Sequence, residues 1–171
     1  MNGIYVRNDD YLKKYIETLD SPKAINLLWW SVTDQGVEYL KDLESLEYLS
    51  LAGTDITDDG IELLRDLKNL RELDLDYTNI AGWGLEALSE LPKLNTLSLA
   101  GSQINREGIL AITSLKHLQV IDLDYTKIDD RDLMELVTLQ KLRKLYLRDT
   151  NVTPKGMSKF EKIMRSCRIV C

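Results

Sequence analysis

Apolar residues recur along this chain with a fixed period of 24 residues. Within each unit, positions 1, 4, 6, 11, 16, 19 and 22 are apolar, and six consecutive units cover residues 22–165. The units begin at Pro22, Leu46, Leu70, Leu94, Leu118 and Leu142. A repeat of this length is typical of a stacked solenoid, in which each unit buries its apolar side chains against its neighbours.

Each unit carries the pattern of a strand followed by that of a helix. In Leu73-Asp74-Leu75 two apolar residues flank a polar one, which is the periodicity of a strand. The apolar positions 16, 19 and 22 keep one face of a following helix inward. Good helix N-caps stand at position 12 in every unit except that of Ala81: Thr33, Thr57, Asn105, Asp129 and Thr153. The pattern predicts one strand and one helix of about ten residues in each unit.

These residues resemble the leucine-rich repeat family, whose motif appears almost whole in residues 49–61 (LSLAGTDITDDGI). The resemblance implies an α/β fold, a right-handed solenoid with a concave parallel β-sheet and convex short helices. It also implies recognition of a protein partner through the concave sheet. Many family members have Asn or Cys at position 9, where this chain has Trp30 and then Thr54, Thr78, Ser102, Thr126 and Thr150. We expect these hydroxyl groups to bridge adjacent backbone turns.

The residues outside the six units are expected to close the two ends, so that residues 1–171 form a single domain. Residues 1–21 are predicted to be an N-terminal cap, with a strand at residues 4–6 and a helix from Asn8 or Asp9 to Leu19. Residues 22–165 hold the six repeats, and residues 166–171 are predicted to be a capping strand with Ile169 and Cys171 turned inward.

Charge is distributed unevenly along the chain. Residues 141–171 contain nine Lys or Arg and two Asp or Glu, a net charge of +7. The whole chain has a formal charge of −6, so residues 1–140 carry −13. The acidic part is expected to attract a basic partner and to repel the phosphates of nucleic acid. The basic end is interpreted as a solvated face, as a surface that attracts the acidic part of a second copy, or as one that pairs with an acidic partner.

The sequence contains no predicted leader or membrane span. Residues 1–20 are interrupted by Arg7, Asp9, Lys13 and other charges. In an extended tail the Cα atoms of Cys167 and Cys171 would lie roughly 13 Å apart, too far for a disulfide. We therefore predict a cytoplasmic protein with free thiols and no membrane partner.

The outward positions of the predicted sheet show a second period, of 48 residues. Units with Asp, Asp and Tyr at positions 5, 7 and 8 alternate with units that carry Ser, Ala and Gly. The first kind supplies Asp74, Asp76 and Tyr77, then Asp122, Asp124 and Tyr125. We expect Tyr77 and Tyr125 to lie over Gly53 and Gly101, and the carboxylates to stay hydrated on an open sheet. Two interpretations remain open: a duplication that merely spaces charges, and an acidic-aromatic groove for a basic partner.

The three tryptophans each suggest a different role. Trp30, at position 9, is expected to fill the core beneath the N-terminal cap. Trp29 is expected either to anchor a partner on the concave rim or to be covered by the first segment of the chain. Trp83 is expected to pack locally against neighbouring loops.

Nothing in the sequence indicates catalysis, a cofactor or a metal. His117 is the single histidine, and together with two cysteines it is too little for a zinc site. We predict a non-enzymatic protein–protein interaction module that binds a basic protein or peptide, with weak self-association at exposed sheet edges. The alternative is a stoichiometric inhibitor or immunity-type protein that blocks a partner enzyme. The predicted partner-binding residues are Trp29, Tyr48, Asp74, Asp76, Tyr77, Asp122, Asp124, Tyr125, Tyr146 and Arg148.

Overall fold

The computed structural model describes residues 7–171 and contains a sheet of seven parallel strands. Each strand pairs with the next one along the chain, in a register of 24 residues that aligns Ile25, Leu49 and Leu73. The strands are β1 (Ala24–Asn26), β2 (Tyr48–Ser50), β3 (Glu72–Asp74), β4 (Thr96–Ser98), β5 (Val120–Asp122), β6 (Lys144–Tyr146) and β7 (Arg168–Val170). The predicted α/β solenoid built on a parallel sheet is confirmed.

Short helices connect successive strands. The α-helices are α1 (Asp9–Ile16), α2 (Asp34–Val37), α3 (Asp58–Glu62), α4 (Arg106–Ile112), α5 (Asp130–Glu135) and α6 (Pro154–Ile163). Leu63–Asp66, Trp83–Glu90 and Leu136–Thr138 are 3-10 helices. Of the described repeat helices, α6 alone reaches the predicted ten residues. The others are shorter, and three of the units contain a 3-10 helix, whose three-residue turn suits apolar residues at every third position. No helix within residues 7–171 is long and apolar enough to cross a membrane.

The repeating apolar positions form one continuous core. All of them are buried except Pro22, Leu43, Met157 and Ile163. Ile163 is 52% exposed because it lies on the last of the six units, whereas the corresponding Leu139 is fully buried. The 24-residue pattern therefore predicts the core almost residue by residue.

The N-terminal end of the core is covered by α1. Asn8 caps this helix by accepting the N–H of Tyr11, and Leu12 is fully buried. The helix ends at Ile16, earlier than the predicted Leu19, although Leu19 still packs against the core. The strand predicted at residues 4–6 lies outside the described residues.

Trp30 fills the space beneath α1, as expected. The ring centroids of Tyr11 and Tyr15 lie 5.6 and 5.8 Å from that of Trp30, and the Arg7 guanidinium lies 5.2 Å away. Trp30 is 9% exposed and belongs to the core.

At the C-terminal end, β7 continues the register of the sheet. Ile169 pairs with Leu145 and packs against the core, as predicted. Cys171 is exposed, so the prediction that it faces inward is wrong, because the strand ends at Val170. Cys167 is buried, and both cysteines are free thiols.

The five predicted helix N-caps are confirmed. In each, the side-chain oxygen accepts a backbone N–H of the first helical turn. The unit with Ala81 differs, since its 3-10 helix begins at Trp83 after Gly82, which has a φ of 115°. There the cap comes from the preceding unit: Asp58 accepts the N–H groups of Ala81, Gly82 and Gly84 at 2.8–2.9 Å.

Asp58 belongs to a series of aspartates that join successive units. Asp34 accepts the N–H and the hydroxyl of Thr57 at 2.8 and 2.7 Å, and Asp9 and Asp130 bind Thr33 and Thr153 in the same way. These inter-unit hydrogen bonds were not foreseen from the sequence. The signal that could have revealed them is the Thr-Asp pair that recurs at positions 12 and 13.

The hydroxyl groups at position 9 act within their own turn. The Oγ1 of Thr54, Thr78 and Thr126 each donates to the carbonyl three residues earlier, at 2.6 Å. The expectation that they bridge adjacent turns is therefore wrong, because the nearest carbonyl belongs to the same unit. At Ser102 the buried Oγ has no hydrogen-bond partner among the described residues.

Candidate functional site

The concave face consists of the outward residues of the seven strands and of the turn that follows each strand. It is less open than the sequence suggested. Ser50 and Ala52 are buried, as are Ala100 and Asp124, although all four occupy positions expected to face solvent. The reason lies at position 8 of each unit, whose side chains lean over the next unit along the stack.

Position 8 has a left-handed backbone conformation in every unit. The φ angles are 58° at Trp29, 65° at Gly53, 54° at Tyr77, 65° at Gly101, 59° at Tyr125 and 52° at Asp149. Such a conformation destabilises a non-glycine residue by about 1–2 kcal/mol. Glycine would avoid this strain, and alternate units use glycine.

Trp29, Tyr77 and Tyr125 form an exposed aromatic row along the rim of the concave face. Their exposed fractions are 65%, 51% and 45%. The Trp29 ring lies over Gly53 and the Tyr77 ring lies over Gly101, leaving no room for a side chain at either glycine. The rings of Trp29 and Tyr77 stack with centroids 6.0 Å apart and planes at 27°.

The row corrects two sequence-based expectations. Trp29 and Tyr77 each lean over the glycine of the following unit, so the predictions that Tyr77 lies over Gly53 and that Tyr125 lies over Gly101 are wrong. Trp29 is 65% exposed, so residues 7–21 of the N-terminal cap do not cover it. The alternation of aromatic residues with glycine thus has a steric cause.

Asp74 and Asp122 close the turns in which they lie. The Oδ1 atom of Asp74 accepts the N–H of Asp76 at 3.1 Å, and that of Asp122 accepts the N–H of Asp124 at 2.9 Å. Asn26 does the same for Leu28 at 2.9 Å in the first unit. An amide therefore serves this structural purpose as well as a carboxylate does.

Asp76 and Asp124 bind the following unit. Asp76 Oδ1 accepts the hydroxyl of Ser98 at 2.5 Å and the N–H of Ala100 at 2.8 Å. Asp124 Oδ1 accepts the N–H of Arg148 at 2.6 Å, while the Arg148 Nε lies 4.0 Å from Asp124 Oδ2. The carboxylates at this position hold neighbouring turns together.

Burial changes the acidity of this cluster. Partial burial raises the pKa of Asp122 to about 6, with further contributions from the charges of Asp124 and Asp76. Burial also raises the pKa of Asp76. The expectation that these carboxylates stay fully hydrated is wrong, because the strands and the leaning side chains exclude water from one side of each group.

The raised pKa of Asp122 predicts a pH-dependent stability. The folded-state pKa of about 6 exceeds the unfolded value, so protonation favours the fold. This contribution is complete below about pH 4 and is lost as the pH rises through about 6. We expect the difference in free energy of unfolding between the native protein and Asp122→Asn to change across this window, as measured by urea denaturation. A difference that stays constant from about pH 4 to 7 would contradict the burial of Asp122.

The remaining predicted residues lie around this cluster. Tyr48 on β2 and Tyr146 on β6 are half-buried, and the Lys144 Nζ lies 4.7 Å from the centroid of the Tyr146 ring. Arg148 is exposed and beside Asp124. In residues 7–171 no group of three or more His, Cys, Asp or Glu side chains is arranged to hold a metal ion.

Comparisons with known proteins agree with this geometry. Residues 44–104 match a family model described as "Leucine rich repeat", and residues 114–137 and 138–160 match a second model described as "Leucine Rich repeat". No curated protein sequence matches the chain.

Two solved structures are similar in fold. An internalin from Listeria monocytogenes has 18% sequence identity and a TM-score of 0.58, with 85% of this chain and 46% of the internalin chain covered. A leucine-rich repeat protein from Leptospira interrogans has 26% identity and a TM-score of 0.60, with 78% of this chain and 33% of that chain covered. This chain therefore spans less than half the length of either protein.

Proposed function

Because the chain belongs to the leucine-rich repeat family, we propose that it is a non-enzymatic module that binds a basic protein or peptide on its concave face. Leucine-rich repeat domains are generally protein–protein interaction modules. The observation that carries the finer proposal is the exposed aromatic row, held in a strained backbone conformation.

The strain of the aromatic row supports a binding role. Glycine occupies the same backbone position at Gly53 and Gly101, so the turn itself needs no aromatic side chain. Trp29, Tyr77 and Tyr125 nevertheless stand there and remain about half exposed or more. Large aromatic side chains that are exposed in this way are typical anchors of protein interfaces. Recognition of a partner accounts for residues that the fold alone does not require.

The carboxylates of the concave face contribute unequally to the proposed charge recognition. Both oxygens of Asp74 accept hydrogen bonds, and Asp124 is buried beside Arg148. Among the described residues, the Oδ2 atoms of Asp76 and Asp122 accept no hydrogen bond. These two oxygens are the ones we propose to meet cationic side chains of the partner, with Tyr48, Tyr146 and Arg148 at the periphery.

Glycine substitutions test the aromatic row without disturbing the turns. We expect Trp29→Gly/Tyr77→Gly/Tyr125→Gly to fold normally, because glycine adopts positive φ freely, and to bind at least about 100-fold more weakly. The protein captured from the native cell would be identified and purified, and its affinity for the native chain and the variant measured by calorimetry. Trp83→Ala, which removes an exposed aromatic side chain from the helix side, is the matched control. Equal affinity of the native chain and the triple variant would refute the proposal.

A second pair of variants separates charge from structure. Asp76→Asn/Asp122→Asn removes the two charges proposed to meet the partner, and an amide oxygen can still accept the same N–H groups, as that of Asn26 does. Glu86→Gln/Glu107→Gln removes two charges from the helix side. We expect only the first of these two double variants to bind the partner more weakly, and its affinity to depend less on salt concentration. If both pairs behave alike, the partner responds to net charge and not to the concave face.

The same binding measurement addresses the inhibitor alternative. If the identified partner is an enzyme, loss of its activity at a 1:1 ratio would indicate a stoichiometric inhibitor. A cytoplasmic location remains a prediction that rests on the two free thiols. Weak self-association would involve a different surface from the concave face.

A further inference from the structure

The helix side of the solenoid carries an exposed apolar groove. Trp83 and Leu110 are 52% and 45% exposed, and they line one shallow groove with Glu86, Glu107, Ala111 and Ser114. We call this surface the convex groove. The local packing expected of Trp83 leaves about half of its side chain exposed.

Local packing explains why Trp83 faces outward. Gly82 and Gly84, on either side of it, are pressed against the backbone of Gly108 and Asp58 in the adjacent units. No space for an indole ring remains between these units, so the ring lies on the surface. Its neighbours Glu86 and Glu107 are also exposed and give the groove a negative rim.

Helix α6 carries an exposed apolar side chain and lysines, which complement the apolar groove and its glutamates. Ile163 is 52% exposed, and Lys155, Lys159 and Lys162 on the same helix are exposed as well. Lys159 and Ile163 are four residues apart and therefore lie on one face. An apolar side chain surrounded by amines matches an apolar groove bordered by carboxylates. The net charges of +7 for residues 141–171 and −13 for residues 1–140 favour the same pairing.

We propose that α6 of one copy of this chain binds the convex groove of a second copy. Ile163 lies against Trp83 and Leu110, while the lysines approach Glu86 and Glu107. The two surfaces are different, so each bound copy keeps one free groove and one free α6. The association is therefore head-to-tail and grows with protein concentration, and it weakens as salt screens the charged rim. It is independent of the concave face and of the function proposed for it.

Two variants, each altered on only one of the two surfaces, test this proposal. Leu110→Lys places an amine in the groove, and Ile163→Asp places a carboxylate on α6. Sedimentation velocity over a wide concentration range should show growing assemblies for the native chain at low salt and monomers for either variant. Gln103→Lys, a matched charge change at an exposed position of the same unit as Leu110, should associate like the native chain.

Mixing the two variants gives the sharpest result. The intact α6 of the Leu110→Lys variant can occupy the intact groove of the Ile163→Asp variant, whereas the two substituted surfaces have lost the apolar contact. We expect the mixture to form a heterodimer at concentrations where each variant alone is monomeric. A native chain that stays monomeric at every concentration, or a mixture without heterodimer, would overturn the proposal. Urea unfolding midpoints close to that of the native chain establish that both variants are folded.

Discussion

Replacing Asp58 by alanine is expected to lower the free energy of unfolding by about 4 kcal/mol. Asp58 is 3% exposed, and its two oxygens accept three backbone N–H groups, from Ala81, Gly82 and Gly84. The bonds to Gly82 and Gly84 are buried, so the donors left by the substitution have no ready access to water. The start of the Trp83–Glu90 helix would lose its cap. Urea denaturation followed by circular dichroism measures the effect.

Asp34→Ala is the matched control, one unit earlier in the same register. Asp34 binds the N–H and the hydroxyl of Thr57, and both hydrogen bonds are only part-buried. Water can replace the lost carboxylate there, so we expect a loss of about 1–2 kcal/mol. Equal effects of the two substitutions would mean that burial of Asp58 contributes nothing, contrary to the packing described above.

Much of the fold could be predicted because each of its elements is recorded six times in the sequence. The apolar positions identify the core, and the cap residues identify the helix starts, including the exception at Ala81. Register follows directly from the period, since parallel strands one unit apart align residue to residue, as Leu49 aligns with Leu73. A pattern repeated this often leaves few alternatives for the backbone.

The candidate site was harder to predict because polar side chains can serve the fold and a partner at once. The alternating aspartates were noticed in the sequence, but as charges rather than as acceptors of backbone N–H groups. Asp124 is buried, and the pKa of Asp122 is raised by partial burial even though the N–H of Asp124, which Asp122 accepts, acts in the opposite direction. The left-handed turn at Trp29, Tyr77 and Tyr125 was not foreseen either. The sequence feature that indicates this left-handed turn is the glycine at the same position in alternate units.

Substitution of Gly82 by alanine is expected to destabilise the fold by about 4 kcal/mol or more, through two separate effects. The φ angle of Gly82 is 115°, a conformation that residues with a side chain rarely adopt. A methyl group there would also overlap the Cα atom of Gly108 and the Cδ1 atom of Ile104. Backbone atoms of an adjacent unit cannot move without disturbing the stack. Urea denaturation of the purified variant measures the loss.

Gly101→Ala is the control at a position where both effects are milder. Gly101 has a φ of 65°, which alanine adopts at a smaller cost, and the atoms nearest to its added carbon belong to the half-exposed ring of Tyr77. That ring can swing toward solvent, so we expect a loss of about 1–2 kcal/mol. If Gly101→Ala destabilises the chain as much as Gly82→Ala, the contact of Gly82 with Gly108 adds nothing to the loss. A much larger loss at Gly82 is the result expected from its φ of 115° together with its contact with the backbone of Gly108.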